Sequence, residues 1–120
     1  MKIAIIGTRT LDDPERVYTI ITQNIPRNCS EVVSGGAEGI DKLAERYARE
    51  NHLFLKIFRP EYDKYGASAP LMRNNLIVDY ADMVYAFWDM NSHGTRYSVK
   101  RCLEINKPVK IIRIPKNGEI

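Results

Sequence analysis

VVSGGAEGID, residues 32–41, runs two valines into a serine, two adjacent glycines, a third glycine and an aspartate. A chain that sheds its side chains so completely is either making a tight turn or letting another group close to its backbone. A strand is expected before it, from about Glu31 to Ser34, running straight into the glycines. After it, Ile40, Leu43, Ala44, Tyr47 and Ala48 recur at helical spacing between Gly39 and Glu50. The stretch is therefore a strand-to-helix junction, and the rest of the chain repeats that unit.

Residues 3–6, IAII, read as a strand ending at Gly7. A helix is expected from Pro14 to Asn24, with Asp12 or Asp13 as cap and Pro14 near its first position. LFLKIF, 53–58, is a third strand, followed by a long connection over 59–70. A helix follows from about Ala67 to Tyr80, then the strand DMVYAFW, 82–88, and a polar exit loop, 89–95. A helix over about 95–105 and a strand over 109–114 complete the pattern, with residues 115–120 read as a loose tail. Strands separated by helices need crossover connections. The expected fold is α/β: one Rossmann-like three-layer sandwich, its five-stranded sheet mainly parallel, its helices on both faces and its ordered core over about 1–114. No internal repeat or linker divides the 120 residues.

In such sheets ligands sit beyond the carboxyl ends of the strands. Three polar loops leave those ends here: GTRT (7–10), SGGAEGID (34–41) and WDMNSHGT (88–95). Gly35 and Gly36 can adopt positive φ and turn their amides outward, and the following helix adds its unpaired donors and dipole. Phosphate or carboxylate would fit there, although the same glycines also suit a compact turn, with Gly39 letting the helix approach the sheet. Ser92, Gly94 and Thr95 open a second helix in the same way, beside Gly7, Thr8 and Arg9. Two converging helix starts favour a polyanion pocket above strands one, two and four. Arg9 and Arg73 would balance charge, Asn74 sits next to Arg73, and Trp88, Tyr62 or Tyr65 could stack on a flat ring. Asp41 and Asp89 are the candidate general bases, with Glu38 nearby, though Asp41 in a first helical turn also serves the dipole.

Two common phosphate motifs are excluded. GxxxxGK[ST] is absent, and the dinucleotide fingerprint belongs after strand one, where only GTRT stands. Cys29 and Cys102 make neither a disulfide framework nor, with the isolated His52 and His93, a metal spacing. No resident metal or cofactor is expected; Mg²⁺ would arrive with a phosphorylated ligand. The net charge of +3, from 18 basic and 15 acidic residues, carries no basic tail or stripe. Nucleic acid is thus not favoured by composition, and no run reaches the ~20 apolar residues of a membrane span. Met1-Lys2 leads directly into a strand without a leader-like apolar stretch, so a cytoplasmic location is expected.

MKIAIIGTRT, VVSGGAEGIDKLAERYA, PEYDKYGASAPLMRNNLIVDYADMVYAFWD and SHGTRYSV together resemble the SLOG superfamily over about residues 1–114. Within it the chain looks like the small stand-alone bacterial and phage proteins related to YspA and YpsA. The resemblance implies a Rossmann-like domain whose glycine and GT-containing loops bind nucleotides or nucleotide-derived ligands, in some members as sensors in phage or conflict systems. It places Gly7, Thr8, Arg9, Ser34, Gly35, Gly36, Gly39, Asp41, Arg73, Asn74, Ser92, Gly94 and Thr95 in the site, and implies self-association as a homodimer. Relatives include the cytokinin-activating LOG phosphoribohydrolases and a DNA-processing protein that binds single-stranded DNA. The LOG motif PGGxGTxxE corresponds here to MNSHGTRYS, which keeps Gly94-Thr95 but puts Ser98 at the catalytic glutamate. Nucleotide binding is the leading expectation; nucleotide hydrolysis at an N-glycosidic or phosphate bond and single-stranded nucleic-acid binding are the alternatives.

Overall fold

The computed structural model describes residues 1–115; residues 116–120, most of the expected tail, lie outside the described residues. The strands are β1 (Lys2–Gly7), β2 (Glu31–Ser34), β3 (Phe54–Ile57), β4 (Met83–Trp88) and β5 (Val109–Arg113). The helices are α1 (Pro14–Asn24), α2 (Ile40–Glu50), the single turn α3 (Tyr62–Tyr65), α4 (Ala69–Tyr80) and α5 (His93–Glu104). All neighbouring strands pair in parallel, in the order β3-β2-β1-β4-β5. The fold is the expected Rossmann-like α/β sandwich.

Alternation along the strands explains the layering. Ile3 and Ile5 of β1 join Val17, Ile21, Ile40 and Ala44 in a core beneath α1 and α2. Ala4 and Ile6 face the other way, into a core with Ile77 and Val78 of α4 and Val99 and Cys102 of α5. Each fully buried Ile or Val contributes about 1.5–3 kcal/mol relative to exposure, and the two-sided demand is why β1 reads as an unbroken apolar run. The edge strands pay no such demand: Phe54 is 77% exposed on β3.

Boundaries moved where side chains intervene. Asp13, not Asp12, caps α1 by accepting from the Arg16 amide at 3.2 Å. The long connection over 59–70 holds α3 and a 3₁₀ turn at 66–68. The Glu61 carbonyl accepts from the amides of both Lys64 and Tyr65, which closes that turn and delays α4 to Ala69. α5 starts at His93, two residues before the expected Thr95, because the Asp89 carboxylate gathers the amides of Asn91 and Ser92 and turns the chain early.

Candidate functional site

The winding direction reverses at β1: β2 and β3 lie on one side of it, β4 and β5 on the other. Beyond the carboxyl ends of β1 and β4 lies a cleft of about 290 Å³, where ligands of open parallel sheets are bound. Ile6, Gly7 and Ile77 form its apolar floor, while Arg9, Ala37, Asp41, Arg73, Asn74 and the start of α5 from Ser92 to Thr95 form its polar walls. Most residues expected at the site are thus brought together, from four separate segments.

Arg73 organises the walls. It comes from α4, is only 5% exposed, and its Nη1 donates to the Gly35 carbonyl. Its Nε donates to Asn74 Oδ1 at 2.8 Å, and Asn74 Nδ2 reaches the Gly94 carbonyl at 3.5 Å. One relay therefore ties the glycine loop after β2 to the first turn of α5. Burial lowers the Arg73 pKa against the opposing pull of Asp41.

This contact answers the question of the three glycines. A Cβ on Gly35 would sit 2.7 Å from Arg73 Nη1 and 3.0 Å from Asp41 Oδ2, so both side chains press on that backbone. Gly35 does not take the positive φ expected of it; Gly36 and Gly39 do, at +72° and +73°. At Gly39 a Cβ would collide with the carbonyls of Thr8 and Arg9. The same close approach lets the Ile40 amide donate to the Thr8 carbonyl at 3.0 Å.

The glycine loop is consequently less open to an anion than its composition suggests. Ser34 Oγ accepts from the Gly36 amide at 3.4 Å, and the Asp41 carboxylate accepts from Ala37 at 3.1 Å. Asp41 already supplies a negative charge at the start of α2. Burial pushes its pKa up, with the Ala37 hydrogen bond, Arg73 and Arg9 pulling the other way.

The start of α5 differs. Ser92 occupies the N-cap but caps no amide; its hydroxyl accepts from Thr95 Oγ1 at 3.1 Å. The nearest atom to a Cβ placed on Gly94 is Asn74 Nδ2 at 3.9 Å, so packing leaves room there. The first-turn donors of a helix are unpaired within the helix itself, and here that turn forms a cleft wall. Ser98, noted in the sequence only as the position of a lost glutamate, stands behind it in the same wall and donates to the Gly94 carbonyl at 3.2 Å.

Several expected site residues have other duties. Thr8 is buried, and its Oγ1 accepts from the Asp89 amide at 3.0 Å, pinning loop one to β4. Ser34 is fully buried and braces the loop behind the cleft. Trp88 is 6% exposed and its indole N–H donates to the Ser92 carbonyl, leaving no open face for a ring. Asp89 lies outside the cleft wall. Burial works to raise its pKa, but the Asn91 and Ser92 amides and the Thr8 hydroxyl outweigh it and lower the value. A carboxylate so engaged organises a turn and is poorly disposed to take a proton. Among the described residues no three His, Cys, Asp or Glu side chains gather as a metal site, and no helix is long and apolar enough to cross a membrane.

A parallel sheet in the order 3-2-1-4-5 with a polar cleft at its switch point defines a Rossmann-like class of α/β fold. The chain belongs to the YspA, cpYpsA-related SLOG family, whose profile matches residues 1–65. It is 28% identical over 116 residues to the Gene 61 protein of Mycobacterium phage D29, covering 90% of this chain and 93% of that one. Two solved structures share the fold at lower identity. DNA processing protein A from Helicobacter pylori, described as having a single-stranded DNA binding mode, superposes with a TM-score of 0.74 at 21% identity. That match covers 99% of this chain and 67% of the other. For DprA from Streptococcus pneumoniae the TM-score is 0.72 at 20% identity, over 96% of this chain and half of the other.

Proposed function

We propose that the chain binds a phosphate-bearing nucleotide or nucleotide-derived ligand in the switch-point cleft. The observation that carries this is the convergence of Arg9, Arg73 and the open first turn of α5 on one cavity. Anionic oxygen is received by the amides near Gly94 and Thr95 and by the two guanidiniums, the planar donors best suited to phosphate. The phosphate sits at α5 rather than in the glycine loop, because Asp41 would repel it there. A divalent ion, where one takes part, arrives with the phosphates.

Thermal unfolding against mono-, di- and cyclic nucleotides, ADP-ribose and short oligonucleotides tests the reading. A ligand at ~100 times its Kd stabilises the fold by roughly 2.7 kcal/mol. Gly94→Leu, which points a side chain into the cleft where packing leaves room, should abolish the shift while the free protein keeps its midpoint. A panel without any shift, or a shift indifferent to both Gly94→Leu and Arg9→Ala, would overturn the proposal.

A second reading is a single-stranded nucleic-acid binder, supported by the fold shared with DNA processing protein A over nearly the whole chain. Its signature is affinity that rises with oligonucleotide length and falls steeply with salt. Nucleotide hydrolysis is the weaker alternative: Ser98 cannot replace a glutamate as acid or base, which leaves Asp41 as the cleft's carboxylate. Release of free base or phosphate that Asp41→Asn eliminates would revive it.

A further inference from the structure

The switch-point cleft has a neighbour. A second cleft of about 270 Å³ is lined by Gly35, Gly36, Glu38, Pro60 and Tyr62, and it shares Arg9, Ala37 and Arg73 with the first. We propose that the two form one site for a pair of nucleosides joined through phosphate. The linking phosphate lies at Arg9 and Arg73, and the second nucleoside stacks on Tyr62. This rests on the reading of the first cleft as a nucleotide site.

Size, charge and surface agree on that arrangement. Each cleft alone falls just below the ~300–1,000 Å³ of ordinary small-molecule sites, whereas the two together lie well within it. The divider carries two cations of different character. Arg73 is held by the Gly35 carbonyl and Asn74, while Arg9 is exposed and free to close on a ligand from the open side. A phosphodiester or pyrophosphate at the divider meets both. Glu38 lines the second cleft as Asp41 lines the first. With the two shared guanidiniums engaged by the linking phosphate, that carboxylate disfavours another phosphate and leaves the compartment to an uncharged ring.

Tyr62 supplies the platform. It is 60% exposed on the rim and lies near Arg73, where it opposes slightly the burial that lowers that residue's pKa. Gly35 and Gly36 line the facing wall with backbone, while the Arg73 and Arg59 guanidiniums fill the space where their side chains would stand. Stacking on an aromatic side chain accepts any base. The ligand class is therefore defined by its linkage and not by base identity, and it includes both a free dinucleotide and two successive residues of a single strand.

Calorimetric titration with 5′-mononucleotides, the matching phosphate-linked dinucleosides, and a decamer of the same base tests this. A linked pair should bind at least about 10-fold more tightly than its mononucleotide, the usual scale of one stacked base. Tyr62→Ala should erase that gain without altering mononucleotide affinity, and Tyr62→Phe should keep it. Gly94→Leu should weaken both ligands. Equal affinity for mononucleotide and pair, unmoved by Tyr62→Ala, would overturn the second compartment and leave the first standing. Failure of both ligand classes to bind would overturn the two together. A decamer no tighter than the pair identifies a free dinucleotide as the source; a tighter decamer with a steeper salt slope identifies a strand. Unchanged unfolding midpoints of the Tyr62 variants verify that the fold is intact.

Discussion

The starts of α2 and α5 look alike on paper and behave oppositely in the fold. Both follow a strand, both carry glycine and hydroxyl residues, and both stand at the carboxyl edge of the sheet. At α2 the protein has filled the space with its own groups: the Thr8 carbonyl, the Asp41 carboxylate and the Arg73 guanidinium. At α5 the single glycine has nothing pressing on it, and no side chain caps the turn. Glycine richness therefore marks where the chain packs against itself, and the sparser helix start is the one left open.

Substituting across the two starts should break that contrast most sharply. Gly39→Val forces a β-branched residue to φ +73° and against two carbonyls. The expected loss is about 3 kcal/mol or more, read as a collapse of the urea midpoint. A variant as stable as the wild type would show that the α2 junction is not closed by packing. Arg73→Ala comes next, because it leaves the buried Gly35 carbonyl without its donor and Asp41 without its facing cation. About 2–4 kcal/mol should be lost, and Arg73→Lys should recover only part of it, since a single ammonium cannot span Gly35 and Asn74 together.

Acid–base behaviour sharpens the comparison, since each start has one aspartate and their shifts have opposite signs. Asp41 has a raised pKa in the fold, so the native state holds its proton more tightly than the unfolded chain. Its contribution to stability falls as pH rises from about 4 through the raised value and stays low above it. Asp89 has a lowered pKa, so its contribution is present above the ordinary carboxylate value and is lost as pH falls through the lowered one. Urea titrations of Asp41→Asn and Asp89→Asn across pH 2–7 should therefore remove slopes of opposite sign. Slopes of the same sign would contradict the difference in environment.

The smallest effect belongs to Gly94→Ala. With 3.9 Å of clearance and a helical position, it should leave stability unchanged or raise it by about 0.5–1 kcal/mol. A destabilised Gly94→Ala would mean that the α5 turn is as tightly filled as the α2 turn.

Much of this was legible beforehand where the signal is local. The buried strand at 3–6 and the apolar stripe from Ile40 to Ala48 appear in the fold nearly as read, because residue spacing reports directly which face an element buries. Arg73 and Asn74 were legible as polar residues near the site. Their bridging role was not, since it depends on Gly35 and Gly94 arriving from 38 and 20 residues away. Trp88 and Asp89 carried signals of stacking and catalysis, yet the turn after β4 consumes both.

The amino-acid order by itself determined a parallel α/β sheet with its polar loops gathered at one edge, because periodicity and short glycine junctions act within each element. Only the tertiary structure decided which helix start is sealed and which is open. An amide is available or spent according to what a distant segment brings to it, and neither Asp41 meeting Ala37 nor Arg73 meeting Gly35 is written in the spacing of either loop.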